Sequence, residues 1–255
     1  MTSLERMMAA INGEPLDRYP VMNPYPFWSM QPHWPELVGL TFAHVYDGSD
    51  EQRMACYRAV YEQLGTDCMP VWRGQCGRGK VRRVENEAGD CPSTWQSTEF
   101  PLFIHNLETG DRTRVDDYYA DTPGDEPKYK TVADVEAEPP PKTAEELLAE
   151  PDNEMACKVV AEFGKKAFLY YDVGAPFSRC YRSLTFEGLF EKMMDDPALV
   201  HAIAQRRTEE LIQYARAAAE TGIHAIRMNE YPGGAELISD EHFTQFVLPY
   251  LKQLV

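Results

Sequence analysis

Short apolar runs that alternate with amphipathic helical stretches restrict this chain to folds with a parallel sheet, because strands joined through helices pair by right-handed crossovers. The runs are Tyr19-Pro-Val-Met22, Cys68 to Trp72, Ala167 to Tyr171 and Ile223 to Asn229. Pro70 weakens the second of them as a strand, since it has no N–H to give to a ladder. Ahead of the first run, Thr2-Ser-Leu-Glu5 has capping-box spacing and Gly13 supplies a stop, which predicts a lead-in helix. Ser49 caps a helix carrying Met54, Tyr57, Ala59, Val60, Tyr61 and Leu64, ended by Gly65. Helical patterns occupy 143 to 150, 152 to 163 and Thr185 to Met194. A long helix opens at Pro197 and runs to Thr221 before Gly222, and Ser239-Asp-Glu begins the last one.

Two stretches break the rhythm. Asn23 to Glu36 holds four prolines among aromatic residues and reads as a long loop after the first strand. Residues 73 to 142 read as an insertion: alternation in Val81 to Val84 and Phe100 to Ile104, with Thr109-Gly-Asp as a turn, predicts an antiparallel hairpin. The acidic, Pro-rich part from Asp121 to Lys142 reads as an exposed connection. Composition bounds the partners. With 41 acidic against 25 basic residues the net charge is -16, which repels a phosphate backbone or an anionic membrane. No apolar run approaches the roughly 18 to 20 residues of a membrane span, and no leader pattern opens the chain. The six cysteines include no C-x-x-C pair, as expected in a reducing, cytoplasmic setting. Cys56 and Cys68 read as packing residues, and Cys76, in the turn Arg73 to Arg78, is the one in a candidate site loop.

Several segments together resemble a known family. They are Leu4-Glu-Arg, Ala9 to Glu14 and Asp17-Arg-Tyr-Pro-Val21 near the start, and Asp195-Asp-Pro-Ala-Leu-Val200. The most specific are Glu220-Thr-Gly-Ile-His-Ala-Ile-Arg-Met-Asn-Glu-Tyr-Pro-Gly-Gly234, Ile238-Ser-Asp-Glu-His-Phe243 and Phe246-Val-Leu-Pro-Tyr250. The chain thereby resembles the uroporphyrinogen decarboxylase superfamily, which also contains corrinoid-dependent methyltransferases. The resemblance implies an α/β fold, the (β/α)8 TIM barrel. About four strand-helix units are legible in residues 1–255, which makes one incomplete barrel domain with a hairpin insertion, on the order of 100 residues short of eight units. A truncated chain, or a homodimer that completes the sheet, is the expectation that follows.

The resemblance also bears on the branch. The decarboxylases carry an Arg-containing motif after the first strand and an Asp at the end of the second. Here the corresponding stretches read Val21-Met-Asn-Pro-Tyr-Pro-Phe-Trp and Val71-Trp-Arg-Gly. In the methyltransferase branch a zinc ion, held by a His-x-Cys pair and a later Cys, activates the substrate. These residues contain no His-x-Cys, which fits a chain whose remaining zinc ligands lie beyond Val255, with Glu230 as a candidate ligand within it, and equally a branch without zinc; the resemblance assigns cobalamin to a partner corrinoid protein.

Barrel chemistry sits at the C-terminal ends of the strands. The first loop offers Asn23, Tyr25, Trp28 and His33, with Phe27 and Trp34 nearby, for stacking on a planar substrate or a corrin; the alternative is that these rings plug the barrel mouth. The second offers Arg73 and Cys76. The third offers Asp172, Phe177 and Arg179, with Asp172 otherwise a turn residue. In the fourth run a period of two puts Ala225, Arg227 and Asn229 on one face, and Glu230 follows at the strand end. Glu230 is the leading catalytic candidate, as zinc ligand or proton carrier; the structural alternative is an Arg227–Glu230 ion pair. Three functions follow: methyl transfer between a small substrate, a methoxylated aromatic among the candidates, and a corrinoid protein; decarboxylation of a carboxylate or of a tetrapyrrole other than uroporphyrinogen, whose recognition residues are missing from the first two loops; or a half-barrel without activity of its own.

Overall fold

The computed structural model describes residues 1–30, 33–40, 44–45, 48–71, 82–85, 103–106, 109–114, 127–150 and 153–255. Expectations that rest on Trp72, Arg73 and Cys76 lie outside them. In chain order the elements are α1 (Ser3–Asn12), α2 (Pro26–Ser29), α3 (Trp34–Val38), α4 (Asp50–Gln63), β1 (Cys68–Val71), β2 (Arg82–Glu85), β3 (Phe103–Asn106) and β4 (Arg112–Arg114). There follow α5 (Val132–Glu136), α6 (Ala144–Leu148), α7 (Asn153–Phe163), β5 (Phe168–Asp172), α8 (Pro176–Leu184), α9 (Phe186–Asp195), α10 (Pro197–Glu220) and β6 (Ala225–Arg227). The last helical segment begins as α11 (Asp240–His242), passes through a π-helical turn at Phe243–Val247 and ends as α12 (Leu248–Leu254). Pro249 lacks the N–H that a regular α ladder needs there, which accounts for the wider turn before it.

One sheet has the order β1-β5-β6, with β1 and β5 parallel in register from Cys68↔Phe168 to Val71↔Tyr171. Pro70 is accommodated because β1 is an edge strand of this sheet among the described residues. The second sheet is antiparallel, β2-β3-β4, with Gly110 in the left-handed region at the turn, as the alternation at 81 to 113 predicts. The predicted first strand does not form. Tyr19–Met22 is coil whose Val21 makes a single two-way link to Asp67: its N–H donates to the carboxylate at 2.7 Å and its carbonyl accepts the Asp67 N–H at 2.8 Å. One pair of bonds is not a ladder, and Tyr19 is 86% exposed.

The chain divides into two compact units. The first comprises Met1–Ala120, Ala149–Tyr171 and Thr221–Ala225. Its core gathers Phe27, Met30, Trp34, Tyr57, Val60, Met69, Val159, Phe163 and Leu169. The lead-in helix forms as its spacing predicts, with a complete Thr2/Glu5 capping box and Gly13 in the left-handed conformation. α4 is likewise boxed, by Ser49 and Gln52, and Arg58 grips Glu162 on α7 with two bonds of 2.7 and 2.8 Å. Fully buried Asp67 bonds Arg6 and Arg18 and anchors the segment that leads into β1.

The second unit comprises Asp121–Leu148, Asp172–Glu220 and Ile226–Val255. Its core includes Phe177, Leu184, Leu189, Leu199, Ile203, Phe246 and Tyr250. The stretch from Asp121 to Lys142, expected to be an exposed connection, departs from that reading in its described part. Thr131 caps α5 with a full capping box, and Tyr129 and Val135 are buried. Glu138 draws Lys128, Tyr129, Arg206 and Arg207 around one carboxylate, a charged cluster that composition alone reads as solvated surface. A second departure is α8. The sequence patterns assign no element between Phe177 and Thr185, yet a helix starts at Pro176, whose ring presets φ for a first helical position.

Candidate functional site

The second unit contains a cavity of about 270 Å³ at the C-terminal end of β5, walled by α8 and by the segment after β6. Its shape follows from three local rules. Gly174, at φ +70, turns the chain sharply out of β5. Ala175 is extended and carries no side chain able to cap, and Pro176 starts the helix, so the first amides of α8 need a partner from elsewhere. Glu230 is that partner: the Ser178 hydroxyl is 2.7 Å from its Oε1, and the backbone N–H groups of Phe177 and Ser178 face its carboxyl.

Glu230 is nonetheless not stabilised as an anion. Burial pushes its pKa up to about 7, and the Ser178 hydroxyl and the two amides pull down less than burial pushes up. Its Oε2 is buried and has no hydrogen-bond partner among the described residues. Among the described residues no cation pairs with Glu230; Arg227 bonds Asp172 at 3.0 Å instead. The Arg227–Glu230 ion pair considered from the sequence is therefore corrected to Arg227–Asp172. The side chain is also held by shape: a Cβ on Gly233 would stand 2.8 Å from the Glu230 Cγ and 3.4 Å from Val247, so only glycine leaves the carboxyl where it is. A carboxyl with a pKa near 7 in a recess beside a cavity is suited to carrying a proton. Ser178 links it to the cavity wall, because its Oγ contacts both Glu230 and the Asn229 carbonyl, at 3.1 Å, while the residue lines the cavity. The Ser178 hydroxyl has two acceptors in reach, Glu230 Oε1 at 2.7 Å and the Asn229 carbonyl at 3.1 Å, so it joins the buried carboxyl to the cavity wall.

Of the residues singled out in the sequence, Asp172, Arg227, Asn229 and Glu230 come together in this unit. Asp172 and Asn229 line the cavity, and Asp172 also accepts the Gly174 N–H at 3.1 Å, so it serves the turn as well as Arg227. Phe177 is corrected: it is fully buried in the core of the second unit, a packing residue. The strand face is as expected, with Arg227 half-buried, but β6 spans only Ala225–Arg227 and its Ile226 is exposed. The first-loop candidates belong to the first unit. That loop is partly helical, and Phe27 and Trp34 are fully buried in the core there. Asn23 is a turn residue, accepting the Tyr25 N–H at 2.9 Å and donating to Ser29 at 3.0 Å. Tyr25 is half exposed, His33 is exposed at the start of α3, and Trp28 lies on α2 with its side chain outside the described residues. The sequence reading missed Ser178, Tyr181, Arg182 and Tyr231 as cavity residues. The signal that finds three of them is Ala-Pro at a helix start, after which positions 178, 181 and 182 recur on one helical face.

A metal centre finds little support in these side chains. Among the described residues no three His, Cys, Asp or Glu groups gather closely enough to hold an ion. Cys180 is fully buried, and burial, helped by Glu230, pushes its thiol well above the usual range. The donor set around Glu230 among the described residues does not fit zinc.

Comparison with known proteins agrees with this architecture. The sequence model described as "Uroporphyrinogen decarboxylase (URO-D)" matches residues 114–255, more than half of the chain. "Uroporphyrinogen decarboxylase 2, chloroplastic" of Arabidopsis thaliana is 32% identical over 102 residues, 37% of this chain and 25% of that protein. The Zea mays "Uroporphyrinogen decarboxylase, chloroplastic" is 34% identical over 91 residues, 32% and 22% of the two chains. These matches span about a quarter of the relatives' length. Among solved structures, a "methyltransferase from Methanosarcina mazei" superimposes with a TM-score of 0.56 at 18% identity, covering 100% of this chain and 66% of that one, a likeness of fold. The chain belongs to the uroporphyrinogen decarboxylase family.

Proposed function

We propose that the protein is a methyltransferase that moves a methyl group between a small methoxylated substrate and a corrinoid carried by a separate protein, in a reducing cytoplasm. The observation that carries this reading is the buried Glu230 carboxyl, 2.7 Å from the Ser178 hydroxyl at the cavity wall. When an aryl methyl ether gives up its methyl group, the electron pair of the O–CH3 bond stays on oxygen, and that oxygen leaves as a phenol only if an acid protonates it. Burial pushes the pKa of Glu230 up to about 7, so a substantial share of it keeps its proton at neutral pH, and Ser178 connects it to the cavity. The partner's corrinoid would supply the methyl acceptor. A zinc ion, if the reaction uses one, would draw its ligands from outside the described residues. In this reading the described sheet is part of a (β/α)8 barrel, which either further units or a second copy would close.

The matches with plant uroporphyrinogen decarboxylases favour a second reading, decarboxylation, in which the same acid protonates the carbanion left when CO2 departs. The two separate in one experiment: the full chain is mixed with cob(I)alamin and 4-methoxybenzoate, and in parallel with uroporphyrinogen, and methylated cobalamin and released CO2 are followed. Methyl transfer is expected, falling as pH rises through about 7, and slowed by about 100-fold or more in Glu230→Gln. CO2 release without cobalamin methylation assigns the second reading; a rate that rises through pH 7 makes Glu230 a base and overturns its role as acid.

A further inference from the structure

Arg179 is the cation in the second unit that the proposed chemistry leaves without a task. Its neighbours are satisfied: Arg207 bonds Glu210 at 2.7 Å, Arg206 contacts Glu138, and Arg227 holds Asp172. Arg179 has only a long bond of 3.5 Å to the Val173 carbonyl, and among the described residues it has no ion pair. Burial, and after it the Arg182 charge, pull its pKa below the ordinary arginine range. Glu210 acts on it only from beyond contact distance, and a partly desolvated guanidinium without a contact counterion is costly in free energy unless something that binds there supplies the charge.

The surroundings say what that is. Arg179 and Arg182 stand three residues apart on α8, and both line the cavity. Asp172 is the one carboxylate among the lining residues, and Arg227 already neutralises it. In a chain of net charge -16, this recess is cationic. The guanidinium lies in van der Waals range of Gly174, whose positive φ of +70 turns the backbone beneath it. A planar fork of N–H donors matches a carboxylate. The usual cradle for a phosphate, the free amides of a helix start, is closed, because Glu230 faces those of Phe177 and Ser178. Tyr181 and Tyr231 add rings to the wall, and the volume of about 270 Å³ exceeds the roughly 150 Å³ that receives a bare benzene ring.

We propose that this cavity binds a small aromatic carboxylic acid, with Arg179 as the partner of its carboxylate. The inference deepens the proposed function, since it uses the same cavity, and it is tested without turnover. The full chain is titrated calorimetrically with 4-methoxybenzoate, with its neutral counterpart 4-methoxybenzamide and with inorganic phosphate, for wild type, Arg179→Gln and Arg179→Lys. Saturable binding of the acid is expected, about tenfold or more tighter than of the amide, weakened by a similar factor in Arg179→Gln and partly kept in Arg179→Lys, which retains charge without the fork. Equal affinity for acid and amide, unchanged binding by an Arg179→Gln protein with a wild-type melting curve, phosphate binding tighter than the acid, or no saturable binding would each overturn it. Should Arg179→Gln fail to fold, the acid and amide comparison on wild type and the lysine variant still decide. No methyl acceptor is present, so failure to bind the acid leaves the acid role of Glu230 standing, and failure of methyl transfer leaves the binding result standing.

Discussion

Glu230 keeps a proton near neutral pH because its recess does not solvate a charge, and the same fact makes the residue a burden on the fold. Its folded pKa of about 7 stands above the 4.5 of an unperturbed glutamate. The folded state therefore binds the proton more tightly, and the associated stability is complete below about pH 4.5 and is lost as pH rises through about 7. Glu230→Gln is neutral at all pH values, so its melting temperature relative to wild type should rise between pH 5 and pH 8, by the equivalent of on the order of 1–3 kcal/mol. A variant equally or less stable than wild type at pH 8 would contradict the buried acid. The position of Glu230 was readable from the strand-end pattern. Its choice of partner was not, because pairing with Arg227 and facing the α8 amides are both compatible with the spacing, and Asp172 decided the matter by taking Arg227.

At the scale of elements, caps and stops were the legible part. Thr2, Gly13, Ser49 and Ser239 act where their spacing places them, since a capping bond needs only neighbours within a few residues. The junction of α8 and α9 shows a local cost. Thr185 caps α9, its Oγ accepting the Gly188 N–H at 3.1 Å, but it does so at φ 69 and ψ 166, a region that glycine occupies without penalty. Thr185→Gly should relieve about 1–3 kcal/mol of backbone strain while losing a few tenths through the cap, so the net expectation is a gain of roughly 1 kcal/mol, read as a higher urea midpoint. A lower midpoint would show that the threonine side chain contributes more than this one bond. What was not legible at this scale was α8 and the aromatic loop. Both begin at prolines, and a proline reads equally well as a break or as a first helical residue until the neighbouring packing is known. Phe27 and Trp34 in the first unit and Phe177 in the second settled it by becoming core.

Across the whole molecule, pH acts on stability from two sides. Burial would raise Asp67, yet Arg18, the Val21 N–H and Arg6 together hold it below the usual range; burial would raise Glu138, yet Lys128, Tyr129 and Arg207 bring it down to about 2. Depressed carboxylates contribute stability above their unfolded pKa and lose it as pH falls from about 4.5 towards about 2, whereas Glu230 costs stability as pH rises through about 7. Unfolding free energy should therefore peak between about pH 5 and 6, and Asp67→Asn with Glu138→Gln should flatten the acid limb of a stability profile measured by urea titration. An acid limb that keeps its slope in the double variant would assign the loss to other groups.

Local chemistry written in adjacent residues determined most of the longer helices, most strand positions, the hairpin turn at Gly110, the acidic charge and the family likeness at 195 to 250, because propensity, capping and patterning act over a few residues. Tertiary structure decided what depends on distant partners. It made coil of Tyr19–Met22, turned the acidic connection around Glu138 into an ordered cluster, gave Arg227 to Asp172 and left Arg179 facing a cavity with no carboxylate of its own. Those outcomes rest on desolvation and on which opposite charge arrives first, quantities set by packing between segments far apart in the chain.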